Sequence, residues 1–138
     1  MFALLYVSSA AKPFTSDELA DLMRAAREHN AVADITGMLL YKDGNFMQLL
    51  EGPQASVQAL FAKIAADPRH TGAITLLRES IADRAFADWS MGFRDLRSPG
   101  IAGIPGYSEF LNTPLTGEEF SAQPRKAQKL LLMFKEKM

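Results

Sequence analysis

The sequence predicts an α+β fold: a mixed five-stranded sheet, two helices on one face and a C-terminal helical extension on the other. Three observations predict it. Apolar runs of strand length alternate with longer stretches whose apolar residues recur every three or four positions. An Asp43-Gly44 pair sits between two of the apolar runs, a strong hairpin signal because glycine tolerates the positive φ that tight turns demand. The chain has 138 residues, 48% of them hydrophobic, enough for one domain with a real core and too few to argue for two.

In order along the chain, Phe2 to Ser8 fits a first strand by length and apolar content. Thr15 then opens a helix with Glu18 three positions on, a capping box flanked by a Phe14–Leu19 hydrophobic staple. This helix is expected from Ser16 to His29, with Leu19, Leu22, Met23 and Ala26 on one inward stripe. The runs ITGMLLY and NFMQLLE flank Asp43-Gly44 as a hairpin. Gly52-Pro53 opens a second helix, with proline where its missing N–H costs nothing and Val57, Leu60, Phe61 and Ile64 turned inward. Asp67-Pro68 ends it, since a residue before proline avoids the helical region. Strands at Ala73 to Ile81 and Asp88 to Arg94 follow, separated by a polar turn at Asp83-Arg84. The order βαββαββ is that of a ferredoxin-like, split βαβ sandwich. From Ser98 the chain changes character. Pro99, Pro105, Pro114 and Pro124 mark a looping segment before a last helix with Ala127, Leu130, Leu131 and Phe134 on one stripe. Residues 1–97 are thus expected to form the main domain and residues 98–138 a C-terminal cap or output extension of it.

Composition removes several function classes. The formal net charge is −1, which points to no nucleic-acid partner. Without cysteine there are no disulfides, thiolate nucleophiles or cysteine metal sites, so the cytoplasm is the expected location. The opening MFALLYVSSA lacks the basic segment of a signal peptide, and no apolar stretch approaches membrane-span length, so no membrane partner is expected. A hydrolase is disfavoured. The histidines are His29 and His70, no serine sits in a nucleophile-elbow sequence, metal-ligand spacing is absent, and Gly37, Gly44 and Gly52 form no phosphate loop.

A few residues ask for more than packing. Along NFMQLLE, Phe46, Gln48 and Leu50 share one face and Met47 and Leu49 the other, so Gln48 lies among apolar neighbours on either. A buried primary amide needs hydrogen-bond partners, and leaving them unmet costs a few kcal/mol. Tyr6 shares a face with Phe2 and Leu4, and its phenol, if buried, needs a partner too. A Tyr6–Gln48 pair across neighbouring strands satisfies both, and can equally be a self-contained polar couple in an apolar core. Asn30 has a structural role available as the C-cap of the first helix. Trp89 and Met91 share a strand face with Phe93, an arrangement that core packing alone explains.

Together these positions closely resemble one family, the BLUF domains, sensors of blue light using FAD. The resemblance runs from Phe2 to about Phe93. It rests on Y-x-S-S-A from Tyr6 to Ala10, Asn30 followed by ITGMLLY, F-M-Q-L-L-E-G-P from Phe46 to Pro53, D-P-R-H from Asp67 to His70, and R-x-F-x-x-W-S-M from Arg84 to Met91. Each piece is weak alone; in this order and spacing they are specific. The resemblance implies non-covalent FAD whose isoalloxazine ring lies between the helices, clamped by Leu22 and Ile64. Asn30 is then expected at the ring's carbonyl edge, Lys63 and Asp67 at its other polar groups, and Arg27, His29 and Arg69 near the phosphate tail.

The resemblance further implies a photoreceptor rather than an enzyme. Tyr6 supplies an electron and then a proton to the light-excited flavin. Gln48, able to donate on one side and accept on the other, rotates or tautomerises. Trp89 and Met91 relay the change toward the C-terminal segment. Output is expected through a downstream partner protein or through self-association as a homo-oligomer, since Leu130 to Phe134 carry more apolar residues than one helix stripe needs. Two other readings compete: a flavin-dependent redox enzyme, and a cofactor-free α+β interaction module. Colour separates the three.

Overall fold

In the computed structural model the described residues are 1–12, 14–42, 44–87 and 92–95. They form β1 (Phe2–Ala10), α1 (Ser16–Ala33), β2 (Thr36–Lys42), β3 (Asn45–Gly52), α2 (Gln54–Ala66), β4 (His70–Ser80) and β5 (Gly92–Asp95), which is the predicted βαββαββ order. The strands make one five-stranded sheet in the order β4-β1-β3-β2-β5. Three of its pairings are antiparallel and β2–β5 is parallel, so the sheet is mixed.

Alternation along the central strands sorts two cores. Ala3, Leu5 and Val7 of β1, Met38 and Leu40 of β2, and Met47 and Leu49 of β3 point to one face, where Phe86 packs against them. Phe2, Leu4, Tyr6, Leu39, Tyr41, Phe46 and Leu50 point to the other, where Leu19 and Met23 of α1 and Val57 of α2 cover them. Both helices therefore lie on the face that carries Tyr6 and Gln48. The capping box forms as expected: the Thr15 side chain accepts from the Glu18 N–H at 3.1 Å, and the Glu18 carboxylate accepts from the Thr15 N–H at 3.0 Å. Phe14 and Leu19 are both buried in the helix-side core. Lys42 pairs with Asn45, which leaves a two-residue hairpin connection whose Gly44 has φ +80°.

Several boundaries differ from expectation. Helix α1 does not end at His29 but runs on to Ala33, because Ala31, Val32 and Ala33 continue the helical pattern and Asp34 supplies the stop. Asp34 takes the left-handed conformation at φ 60°, ψ 41°, and its N–H donates to the Asn30 carbonyl. Asn30 is therefore not the C-cap; it lies within the last turns of the helix, buried. Pro53 occupies the N-cap of α2 rather than its first turn. At the other end Asp67 is extended at φ −70°, ψ 125°, as a residue before proline should be. Strand β4 begins three residues earlier than predicted, at His70. Trp89, Met91 and the predicted C-terminal helix lie outside the described residues. Among the described residues no helix is long and apolar enough to cross a membrane.

Candidate functional site

A cleft of about 240 Å³ lies between α1 and α2 and is floored by the central strands. Register builds the floor. Tyr6 of β1 lies opposite Gln48 of β3, and Leu39 of β2 lies opposite Gln48 on its other side, so all three present side chains to the cleft in one row. The Tyr6 hydroxyl donates to Gln48 Oε1, both residues being buried. Removal from water pushes the Tyr6 phenol well above its ordinary value, so it keeps its proton throughout the neutral range.

The walls are helical and apolar: Leu22 and Ala26 from α1, Leu60 and Ile64 from α2. Asn30 contributes the polar group of the α1 wall. Its side chain is buried, and among the described residues its Oδ1 accepts no hydrogen bond although the residue has other interactions. His29 and Lys63 stand at the exposed edge of the cleft with Asp67 and Arg69. The Arg69 guanidinium reaches both carboxylate oxygens of Asp67, Nε at 3.1 Å and Nη2 at 2.7 Å, and its backbone N–H donates to Oδ1 at 2.9 Å. Those hydrogen bonds from Arg69 hold the Asp67 carboxyl down at about 2, so it is ionised at any physiological pH.

Of the residues singled out in the sequence, Tyr6, Leu22, His29, Asn30, Gln48, Lys63, Ile64, Asp67 and Arg69 all line this cleft. Arg27 does not. At about 100° per residue it falls just outside the stripe that carries Leu22, Ala26, His29 and Asn30, and it is exposed. The signal-relay pair, Trp89 and Met91, lies outside the described residues. Sequence reasoning missed His70 as a cleft residue. Its ring lies tilted with its centroid 5.0 Å from that of Phe46, its Nδ1 lies 3.1 Å from Ser8 Oγ, and burial lowers its pKa. The pairing of Ala10 with His70 puts it there, and that pairing across sixty positions of sequence leaves no local signal. Phe46 and Leu60 were legible only as core.

The donor set fits a flat, polar-edged ring with an anionic tail. Apolar side chains face each other across the cleft, amides and a phenol lie at its floor and inner wall, and cations stand at its mouth. Among the described residues no cluster of His, Cys, Asp or Glu is arranged to hold a metal.

Residues 1–92 match the sequence profile of the family described as "BLUF: Sensors of blue-light using FAD". A photoactivated adenylate cyclase subunit beta from Euglena longa is 43% identical over 89 residues, which is 64% of this chain and 10% of that protein. The chain thus spans about a tenth of the length of such relatives. Among solved structures, "BlrB - a BLUF protein, dark state structure" superposes with TM-score 0.73 at 32% identity, covering 91% of this chain and 92% of that one. "BlsA ground state" superposes with TM-score 0.78 at 29% identity, covering 95% and 87%.

Proposed function

This chain belongs to the BLUF family, the sensors of blue light using FAD, and from that premise we propose that Tyr6 and Gln48 are the pair whose hydrogen bond light rearranges. The observation that carries the proposal is the Tyr6 hydroxyl donating to Gln48 Oε1 on the floor of the cleft between the two helices. FAD, the family's cofactor, supplies blue-light absorption and an excited state that is a strong oxidant. The residues do the rest. Leu22 and Ile64 would hold the ring from either side, Asn30 would hydrogen-bond its polar edge, and Lys63, Asp67, Arg69 and His29 would hold its remaining polar groups and tail.

Tyr6 is the chain's own electron and proton source. Its phenol is protonated in the dark and already directed at an acceptor. Gln48 carries an acceptor at one end of its amide and donors at the other, so rotation or tautomerisation reverses which of them meets the phenol and which faces the cleft. The electron and proton that Tyr6 would give to the excited flavin would both come back to it, leaving no net chemistry, which makes this a switch and not a turnover. Output runs through the last strand, with Trp89 and Met91 as relay residues, to a partner protein or a second copy of the chain.

The test is the visible absorption spectrum in the dark, immediately after blue illumination, and after dark recovery. A flavin spectrum that shifts slightly to longer wavelength and returns is the expected result. A protein that stays colourless after incubation with FAD sinks the reading, and a yellow protein that bleaches with a reductant substrate replaces it with a flavin enzyme.

A further inference from the structure

Outside the cleft, among the described residues, a densely bonded polar knot is built on Glu51, three positions after Gln48 on β3. Glu51 is only 2% exposed, and a carboxylate buried to that extent is costly unless donors surround it. They do. Its Oε1 accepts from Thr36 Oγ1 at 3.2 Å and from the Phe86 N–H at 2.9 Å, and its Oε2 accepts from the Ala85 N–H at 2.7 Å. Beside it Arg84 donates through Nη1 to Thr36 Oγ1 at 3.0 Å and through Nη2 to the Asp34 carbonyl at 2.9 Å, with an ion pair to the Asp34 carboxylate at 3.0 Å.

The knot joins three places that matter to the switch. Through Asp34 it grips the C-cap of α1, whose N–H donates to the carbonyl of Asn30. Through Glu51 it is continuous with the strand that carries Gln48. Through Ala85 and Phe86 it sets the backbone that leads, within five residues, to Trp89 and Met91. There is no slack at the junction, because a Cβ built on Gly52 would lie 2.7 Å from the Asp34 carbonyl oxygen. A satisfied polar network with a buried carboxylate at its centre rigidifies the segments that it joins.

We propose that Glu51 and Arg84 are positioning residues that couple the Gln48 strand and the Asn30 helix end to the segment entering β5, so that the light signal reaches that segment through them. This inference rests on the photosensor reading. Its test is light-minus-dark hydrogen exchange of the FAD-loaded protein over peptides covering residues 84–95, run beside the visible spectrum and a thermal melt. In Glu51→Gln the shape is kept, but an NH₂ group now confronts backbone donors. The expected result is that the flavin shift survives while the light-induced exchange difference falls by about twofold or more. Arg84→Gln, which removes the grip on Asp34 from a site nearer the surface, is expected to do the same and serves if Glu51→Gln does not fold.

A light-induced exchange difference equal to the parent's in a folded variant overturns the coupling role. So does a folded variant that keeps FAD and loses the flavin shift itself, since the knot would then shape the cleft and not the relay. A parent protein that shows no shift at all overturns the photosensor reading, and the coupling with it; a parent that shifts while its variants respond alike overturns the coupling alone.

Discussion

Tyr6 and Gln48 show how burial turns two ordinary side chains into a device. Both are buried, and the Gln48 carbonyl oxygen accepts from the Tyr6 hydroxyl, so altering one leaves a specific deficit in the other. Tyr6→Phe keeps the ring that fills the floor and packs, tilted, 5.2 Å from Phe61, and removes only the hydroxyl. The expected outcome is a yellow protein with no light-induced shift. Gln48→Leu should also bind FAD and fail to shift, and it should melt lower, because the buried phenol loses its acceptor at a cost of about 1–3 kcal/mol. Illumination spectra and thermal melts of both variants check this; a full photocycle in Tyr6→Phe removes the electron-donor role. His70 makes a second residue-scale prediction. Burial lowers its pKa in the folded protein, so below about 6.5 the unfolded chain takes up a proton that the folded one resists. Its contribution to stability is therefore complete above that pH and is lost as pH falls toward the folded value. Unfolding midpoints measured from pH 8 to pH 5 should fall less steeply in His70→Gln than in the parent; equal slopes would show that His70 carries no such linkage.

The elements are positioned by their ends more than by their middles. Thr15 and Glu18 start α1 with a reciprocal cap, and Asp34 stops it by entering the left-handed region, where its N–H takes the Asn30 carbonyl. That late stop puts Asn30 inside the helix, on the stripe with Leu22, Ala26 and His29, facing the cleft. The junction of α1, β2 and β3 is equally constrained. Gly52 has no room for a side chain, since a Cβ would come 2.7 Å from the backbone oxygen of Asp34 and 3.3 Å from Ile35. Gly52→Ala should therefore destabilise the fold by about 1–3 kcal/mol through overpacking, read as a lowered denaturation midpoint. The same substitution at Gly44 meets no neighbour within 4 Å, and any cost there comes from φ +80° alone.

At the scale of the molecule, the sheet separates one apolar core from a face on which the two helices enclose the cleft. A ligand that binds only the folded arrangement stabilises it by mass action. FAD at a hundredfold excess over its dissociation constant is worth about 2.7 kcal/mol, which for a domain of this size raises the melting temperature on the order of 10 °C. The expected outcome is a midpoint that climbs with FAD concentration, and a flat response would argue against FAD binding in the cleft.

Much of this was legible in the sequence for one physical reason: secondary structure and capping are local. The period of apolar residues, the Thr15–Glu18 box and the Asp43-Gly44 signal act over a few positions, so the order βαββαββ and the inward sense of Leu22 and Ile64 could be read from neighbours alone, while the face of Gln48 could not. Motif spacing then supplied the family. What only the tertiary structure decided are the contacts between distant segments. His70 reaches the cleft by pairing β4 with β1, Arg27 falls outside it by the turn of the helix, and Asn30 changes from a cap to a wall because the helix runs on to Ala33 and Asp34, which also meets Arg84 fifty positions away, takes the cap instead. The Glu51 knot belongs to the same class. A glutamate in a strand sequence looks like a solvated charge until Thr36, Ala85 and Phe86 are brought around it, and nothing short-range in the chain says that they will be.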